Sequence, residues 1–177
     1  MFIIRPMVCA DIDTVLAIQA DVYAGEILEE EGVISARLDT APDTAWVAQT
    51  RLGVQAYLVS YPSQLGALTA LGDNFQRAAA PDCLYLHDLA VAAVANGLGM
   101  GRALINEATR YAEEQGYPFS ALISVQDSVA FWQRHGYSVV DHLSLRQQAL
   151  LATYTGPAYY MSKLLSAPST PKTGQEK

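Results

Sequence analysis

The stretch from Leu84 to Gly116 limits the possible folds of this chain more than any other. Leu84, Leu86, Leu89 and Val91 form an apolar run broken only by Tyr85, His87 and Asp88, which reads as a strand. Asn96-Gly97-Leu98-Gly99-Met100-Gly101 then sets three glycines at alternate positions, where the backbone must bend sharply or approach a ligand. Leu104, Ala108, Tyr111 and Ala112 follow at helical spacing until Gly116. A strand leading through a glycine loop into a helix start makes an anion site, because the first-turn N–H groups and the positive end of the helix dipole both face the loop.

Known phosphate loops can be tested against these residues. A Walker A loop places Lys and Ser or Thr straight after its last Gly, whereas Arg102-Ala103 stand here. A dinucleotide fingerprint needs G-x-G-x-x-G early in a doubly wound sheet. This chain has G-x-G-x-G, late, with too little sequence after it for that sheet.

Leu89-Ala90-Val91 followed by Asn96, Gly97, Gly99, Gly101, Arg102 and Ala103 resembles the central motif of the GNAT superfamily of N-acetyltransferases. A second segment, from Ser124 through Gln126, Ser128, Phe131 and Trp132 to Gly136-Tyr137, is similar to the family's later strand-and-helix motif. The resemblance covers roughly Phe2 to Leu164. It implies an α/β fold, a mixed central sheet of about six to seven strands with helices on both faces. It also implies acetyl transfer from acetyl-coenzyme A to a primary amine of a small molecule or protein. Loop amides of Asn96, Gly97, Leu98, Gly99, Met100, Gly101, Arg102 and Ala103 would hold the pyrophosphate. The backbone of Leu89, Ala90 and Val91 would pair with pantetheine, and Gln126, Ser128, Phe131 and Trp132 would complete the coenzyme groove. Two departures stand out: Asn96 replaces the usual Arg or Gln, and Trp132 replaces the Tyr that often serves as general acid.

Composition bounds the alternatives. At 51% hydrophobic and 16% charged residues, a chain of 177 residues reads as one globular domain over 1–165, with a disordered Ser/Thr/Pro/Lys tail at 166–177. A net charge of -7 argues against nucleic acid and suits a cationic acceptor. No apolar run approaches a membrane span and no secretory leader is visible, so a cytoplasmic protein is expected. Cys9 and Cys83 lack any metal-ligand pattern, and no metal is expected. Dimers are common in the family, which makes a homodimer possible by analogy.

Taken in order, Phe2–Pro6 reads as a strand, Cys9–Tyr23 and Ile27–Leu38 as helices, and Ala45–Thr50 with Val54–Tyr61 as a hairpin. Residues 62–82 show no period, and a connection that long is usually functional or mobile. After the central unit come a strand at Pro118–Val125, a helix at Asp127–His135, a strand at Tyr137–Asp141, an ambiguous Leu143–Thr153 and a last strand at Gly156–Leu164.

Amide formation requires a base for the attacking nitrogen and benefits from an acid for the thiolate. His87 and Asp88 are the candidates for base, and strand alternation sends them to opposite faces. With Tyr absent at Trp132, Tyr137 is the first candidate to replace the acid, and Tyr154, Tyr159 and Tyr160 are others. The resemblance implies an acceptor site walled by the first two helices, where Glu26, Glu29, Glu30 and Glu31 cluster. Tyr23 and residues 62–82 are further candidates to line it, although an acidic run is more often a solvated face.

Overall fold

The computed structural model describes residues 1–23, 28–70 and 72–165. The expected tail and Glu26 lie outside these residues. A seven-stranded sheet forms the frame: β1 (Ile3–Pro6), β2 (Ala45–Thr50), β3 (Gly53–Ser63), β4 (Cys83–Val91), β5 (Phe119–Ser124), β6 (Ser138–Val139) and β7 (Tyr159–Leu164), ordered β1-β2-β3-β4-β5-β7-β6. β4 and β5 pair in parallel and the remaining neighbours are antiparallel.

Each face of the sheet is covered. One buries Cys83, Tyr85 and Ala90 of β4 with Tyr57 and Val59 of β3, against α1 (Ile12–Val22) and α2 (Glu31–Thr40). The other buries Leu84 and Leu86 with Leu58, against α3 (Met100–Glu114) and α4 (Val129–Arg134). α3 docks because Leu104, Ile105, Ala108 and Ala112 fall on one stripe. Fully burying a side chain such as Leu104 contributes about 1.5–3 kcal/mol.

Three elements differ from the sequence reading. α2 starts at Glu31, so Glu31 alone of the acidic run sits in its first turn. Residues 143–153 hold a short helix, α5 (Leu145–Leu151), whose capping box joins Ser144 and Gln147. The described residues of the segment after β3 form no helix or strand, yet they are tied down: Gly66 N–H donates to the Tyr160 hydroxyl at 2.8 Å, Tyr154 donates to Thr69 O at 2.8 Å, and Arg37 to Asp73 O at 2.7 Å. These bonds turn a featureless connection into a wall over the α1/α2 face.

The irregularity that matters most is on β4. Val59 pairs with Asp88 but Ser60 pairs with Leu86, which leaves His87 as an extra residue in a β-bulge. The bulge cancels one step of alternation. His87 and Asp88 therefore project to the same α1/α2 face, and the expectation of opposite faces is corrected. No described helix is long and apolar enough to cross a membrane.

Candidate active site

The central cleft comes from a fork in the sheet. β4 and β5 pair from Cys83↔Phe119 to Leu86↔Leu122 and no further. Beyond that point β4 stays with β3 as far as Val91↔Ala56, and β5 stays with β7 as far as Ser124↔Tyr159. Ala92 N–H donates to Gln55 O at 2.8 Å, which fixes the phase of alternation: the peptide groups of Leu89 and Val91 point away from β3, into the fork. A cleft of about 480 Å³ opens there, lined by Leu89, Ala90, Val91, Asn96, Gln126, Ser128, Phe131 and Trp132, and by Asp21, Tyr23, Glu29, His87, Asp88 and Tyr154 towards the first two helices.

A second cavity of about 440 Å³ shares Val91, Asn96 and Phe131 with the first and continues over Gly97, Gly99, Met100, Gly101 and Arg102 to Arg134 and His135. Gly97 and Gly99 have φ of 78° and 82°, backbone that only glycine adopts without strain. Gly99 caps α3 without a side-chain bond. The amides of Met100, Gly101 and Arg102 then have no partner within the helix and open onto the cavity. Leu98 and Ala103 line neither cavity: Leu98 is largely exposed, and Ala103 N–H is used by Gly99 O at 3.0 Å. Burial, followed by the charges of Lys163, Arg134 and Arg102, pushes His135 down from its ordinary 6.5. This end of the groove is locally cationic on a chain of net charge -7.

Gln126 and Asp127 lead into α4 with φ of 50° and 57°. Left-handed backbone costs a non-glycine residue roughly 1–2 kcal/mol, and here it turns Gln126 to the rim of the cleft. Ser128 does not offer its hydroxyl freely, since it donates to Val125 O at 2.7 Å and sits 2.9 Å from Ser124 Oγ. Trp132 is buried between Phe131 and Tyr137, with ring centroids 5.1 and 5.5 Å away.

Towards α1 and α2 two polar clusters meet. Asp88 accepts from Gln19 Nε2 at 3.1 Å, from the Tyr23 hydroxyl at 2.5 Å and from the Tyr57 hydroxyl. Beside it Arg37, only 2% exposed, pairs with Glu29, lies 2.8 Å from His87 Nε2 and stacks over Phe75 with 4.9 Å from Cζ to the ring centroid. His87 Nε2 is also 3.2 Å from Glu29 Oε1. Burial alone would raise Glu29, but its contacts with His87 and the charge of Arg37 outweigh that and hold it down at about 2. Glu29 is thus an inward-facing member of an acidic run that looked like a solvated face.

Tyr137 does not join this site. Its ring is 2% exposed in the α3/α4 core and its hydroxyl lies 2.7 Å from Ser120 Oγ. Burial in the first place raises it well above its ordinary 10. Of the other tyrosines named from sequence, Tyr154 lines the cleft, while Tyr159 and Tyr160 do not. Tyr23, a lining candidate from sequence, does line the cleft, whereas Tyr57 and Gln19 sit at strand and helix positions with no motif of their own. Among the described residues no group of three His, Cys, Asp or Glu side chains is placed to hold a metal ion.

An open mixed sheet, forked beside a helix start whose amides face a cavity, defines a GNAT-like acetyltransferase fold. The profile of the acetyltransferase (GNAT) family matches residues 26–137, and the chain belongs to that family. In fold it is similar to Ard1 from Thermoplasma volcanium, with a TM-score of 0.74 and 16% identity over 94% of this chain and 99% of that one. The ribosomal-protein-S18-alanine N-acetyltransferase from Escherichia coli aligns with a TM-score of 0.65 and 14% identity over 94% and 96%. The GNAT-like decarboxylase GphF in complex with isobutyryl-CoA gives 0.77 and 15% over 93% and 100%. No curated protein matches the chain in sequence.

Proposed function

We propose that the protein moves an acetyl group from acetyl-coenzyme A directly to a primary amine of a small molecule or protein. The observation that carries this reading is the fork: the peptide groups of Leu89 and Val91, which no strand pairs on the β5 side, lead towards the amides that start α3, which matches a long ligand with amides along its arm and phosphates at one end. Arg102 and Arg134 supply charge that Asn96 does not. The amine enters between α1 and α2, where Asp21, Glu29 and Asp88 favour a cation. Asp88 is the base in this reading, because Arg37 and Glu29 both crowd Nε2 of His87. The test is calorimetric titration with acetyl-coenzyme A and isobutyryl-coenzyme A, followed by assay of thiol release with amines. Gly99→Trp, which places an indole where nothing lies within 4 Å of a Cβ and where φ is +82°, is expected to weaken coenzyme binding at least tenfold.

A second reading, a coenzyme A-binding sensor with little catalysis, is favoured by the indole of Trp132, which has no hydroxyl to give. It predicts the same binding without thiol release.

Coenzyme binding should also depend on pH. Burial, and then the neighbouring cations, favour the neutral form of His135, and a bound phosphate would draw its proton back. Affinity for coenzyme A is expected to rise several-fold as pH falls from about 7.5 to 5.5. His135→Ala should flatten that rise, measured as Kd against pH.

A further inference from the structure

The proposed transfer leaves a thiolate, and the family's usual acid position holds Trp132. Only two phenols line the cleft among the described residues, Tyr23 and Tyr154. Tyr154 already donates to Thr69 O at 2.8 Å. Tyr23 is placed differently: its hydroxyl lies 2.5 Å from Asp88 Oδ1 and 3.1 Å from Leu89 O, the carbonyl that points into the fork. One hydrogen therefore has two acceptors, a carboxylate on the amine side and the coenzyme edge of β4 on the other. The frame behind it is firm, since Tyr23 closes α1 with its N–H on Gln19 O at 2.8 Å, and Gln19 also holds Asp88.

Resting on the acetyl-transfer reading above, we propose that Tyr23 is the catalytic acid of this protein and works as a relay with Asp88. The uncharged amine nitrogen attacks the thioester carbonyl carbon and forms the C–N bond. Asp88 takes a proton from that nitrogen. The C–S bond breaks with its electron pair passing to sulfur; Tyr23 gives its proton to sulfur and receives the one held by Asp88. The products are the amide and the free thiol, with Asp88 ionised and Tyr23 protonated as before. The order is built into the contact: while Asp88 is charged it holds the Tyr23 hydrogen, and once protonated it becomes a donor and frees that hydrogen for the fork.

The groups around Tyr23 suit a proton donor. Asp88 and His87 approach from β4, Tyr57 from β3, Glu29 from the connection before α2, and Asp21 from α1; Tyr154 closes the same cleft from beyond α5. Burial first and then the negative charge of Asp88 keep the Tyr23 phenol well above its ordinary 10, so it holds its proton at neutral pH.

The experiment compares wild type, Tyr23→Phe, and protein carrying fluorinated tyrosines of graded acidity at position 23. All are assayed by thiol release from acetyl-coenzyme A with ethylamine, putrescine and a tetrapeptide bearing a free N-terminus. Tyr23→Phe is expected to lose about 10²-fold in kcat with KM for acetyl-coenzyme A unchanged. The fluorinated rings keep the size and hydrogen bond of tyrosine, and the basic limb of the rate profile should move down in step with their acidity. A basic limb that stays in place, or a Tyr23→Phe loss confined to KM, overturns the relay and leaves Tyr23 as a support for Asp88. Wild type that binds coenzyme but releases no thiol with any of the three amines overturns acetyl transfer itself, a failure read before any variant is made, and the relay falls with it.

Discussion

Arg37→Ala is expected to destabilise the protein by about 3–5 kcal/mol, the usual cost of removing one partner of a buried ion pair. For a chain of this size that is a fall in Tm on the order of 10 °C. The reason is the number of groups one guanidinium holds. It pairs with Glu29, reaches His87 and the carbonyl of Asp73, and stacks on Phe75, so α2, β4 and the wall after β3 all meet on it. Truncation leaves a carboxylate 10% exposed with no fixed positive partner. Arg37→Met with Glu29→Gln should recover part of the loss, because it removes both charges instead of one.

The pH dependence gives the same argument a sign. Glu29 is depressed from 4.5 to about 2, so it stabilises the fold above 4.5 and that contribution disappears as pH falls towards 2. In Arg37→Ala the carboxylate keeps His87 but loses the charge and hydrogen bond of Arg37 that help to hold it ionised. Its share of the acid unfolding limb should move to higher pH, as followed by circular dichroism in urea. A variant as stable as wild type, with the same acid limb, would mean that Arg37 carries none of this network.

How these residues come together shows which part of the site is legible in the sequence. The proposed coenzyme groove is local: Gly97, Gly99 and the start of α3 are contiguous, and a strand-loop-helix pattern implies free amides whatever surrounds it. The proposed acceptor side is non-local. Glu29 meets His87 across 58 positions, and Tyr57 meets Asp88 across 31, so neither pairing leaves a spacing to read. The bulge at His87 is a register slip against Ser60, produced by pairing rather than composition. Period-2 reasoning therefore separates two side chains that the sheet places together. Tyr137 shows the opposite case: its motif is legible, but the turn at Gly136 delivers the ring to the core beneath α3 instead of to the cleft. α5 did carry a local mark, the Ser144-x-x-Gln147 box.

Asp88→Asn is expected to lower kcat by about 10²–10⁴, the range of a general base, with KM for acetyl-coenzyme A little changed. Coenzyme contacts in the proposed complex are peptide groups and loop amides, which the substitution leaves in place. Folding should survive. The carboxamide keeps one oxygen for a tyrosine hydroxyl, and the other hydroxyl can rotate to accept from the new NH₂, so the loss is that of a reorganised buried hydrogen bond, about 1–3 kcal/mol. The three donors on this carboxylate explain how Asp88 can act. Gln19, Tyr23 and Tyr57 fix its orientation, leaving the amine to be delivered to a carboxylate that does not need to move. His87→Asn is the companion variant: it perturbs Arg37 and Glu29 while leaving Asp88 and its donors intact. Loss of kcat in Asp88→Asn that far exceeds the loss in His87→Asn, together with disappearance of the acid limb of the rate profile, assigns the base to Asp88. The reverse order assigns it to His87 and makes Asp88 a clamp that holds α1 onto the bulge.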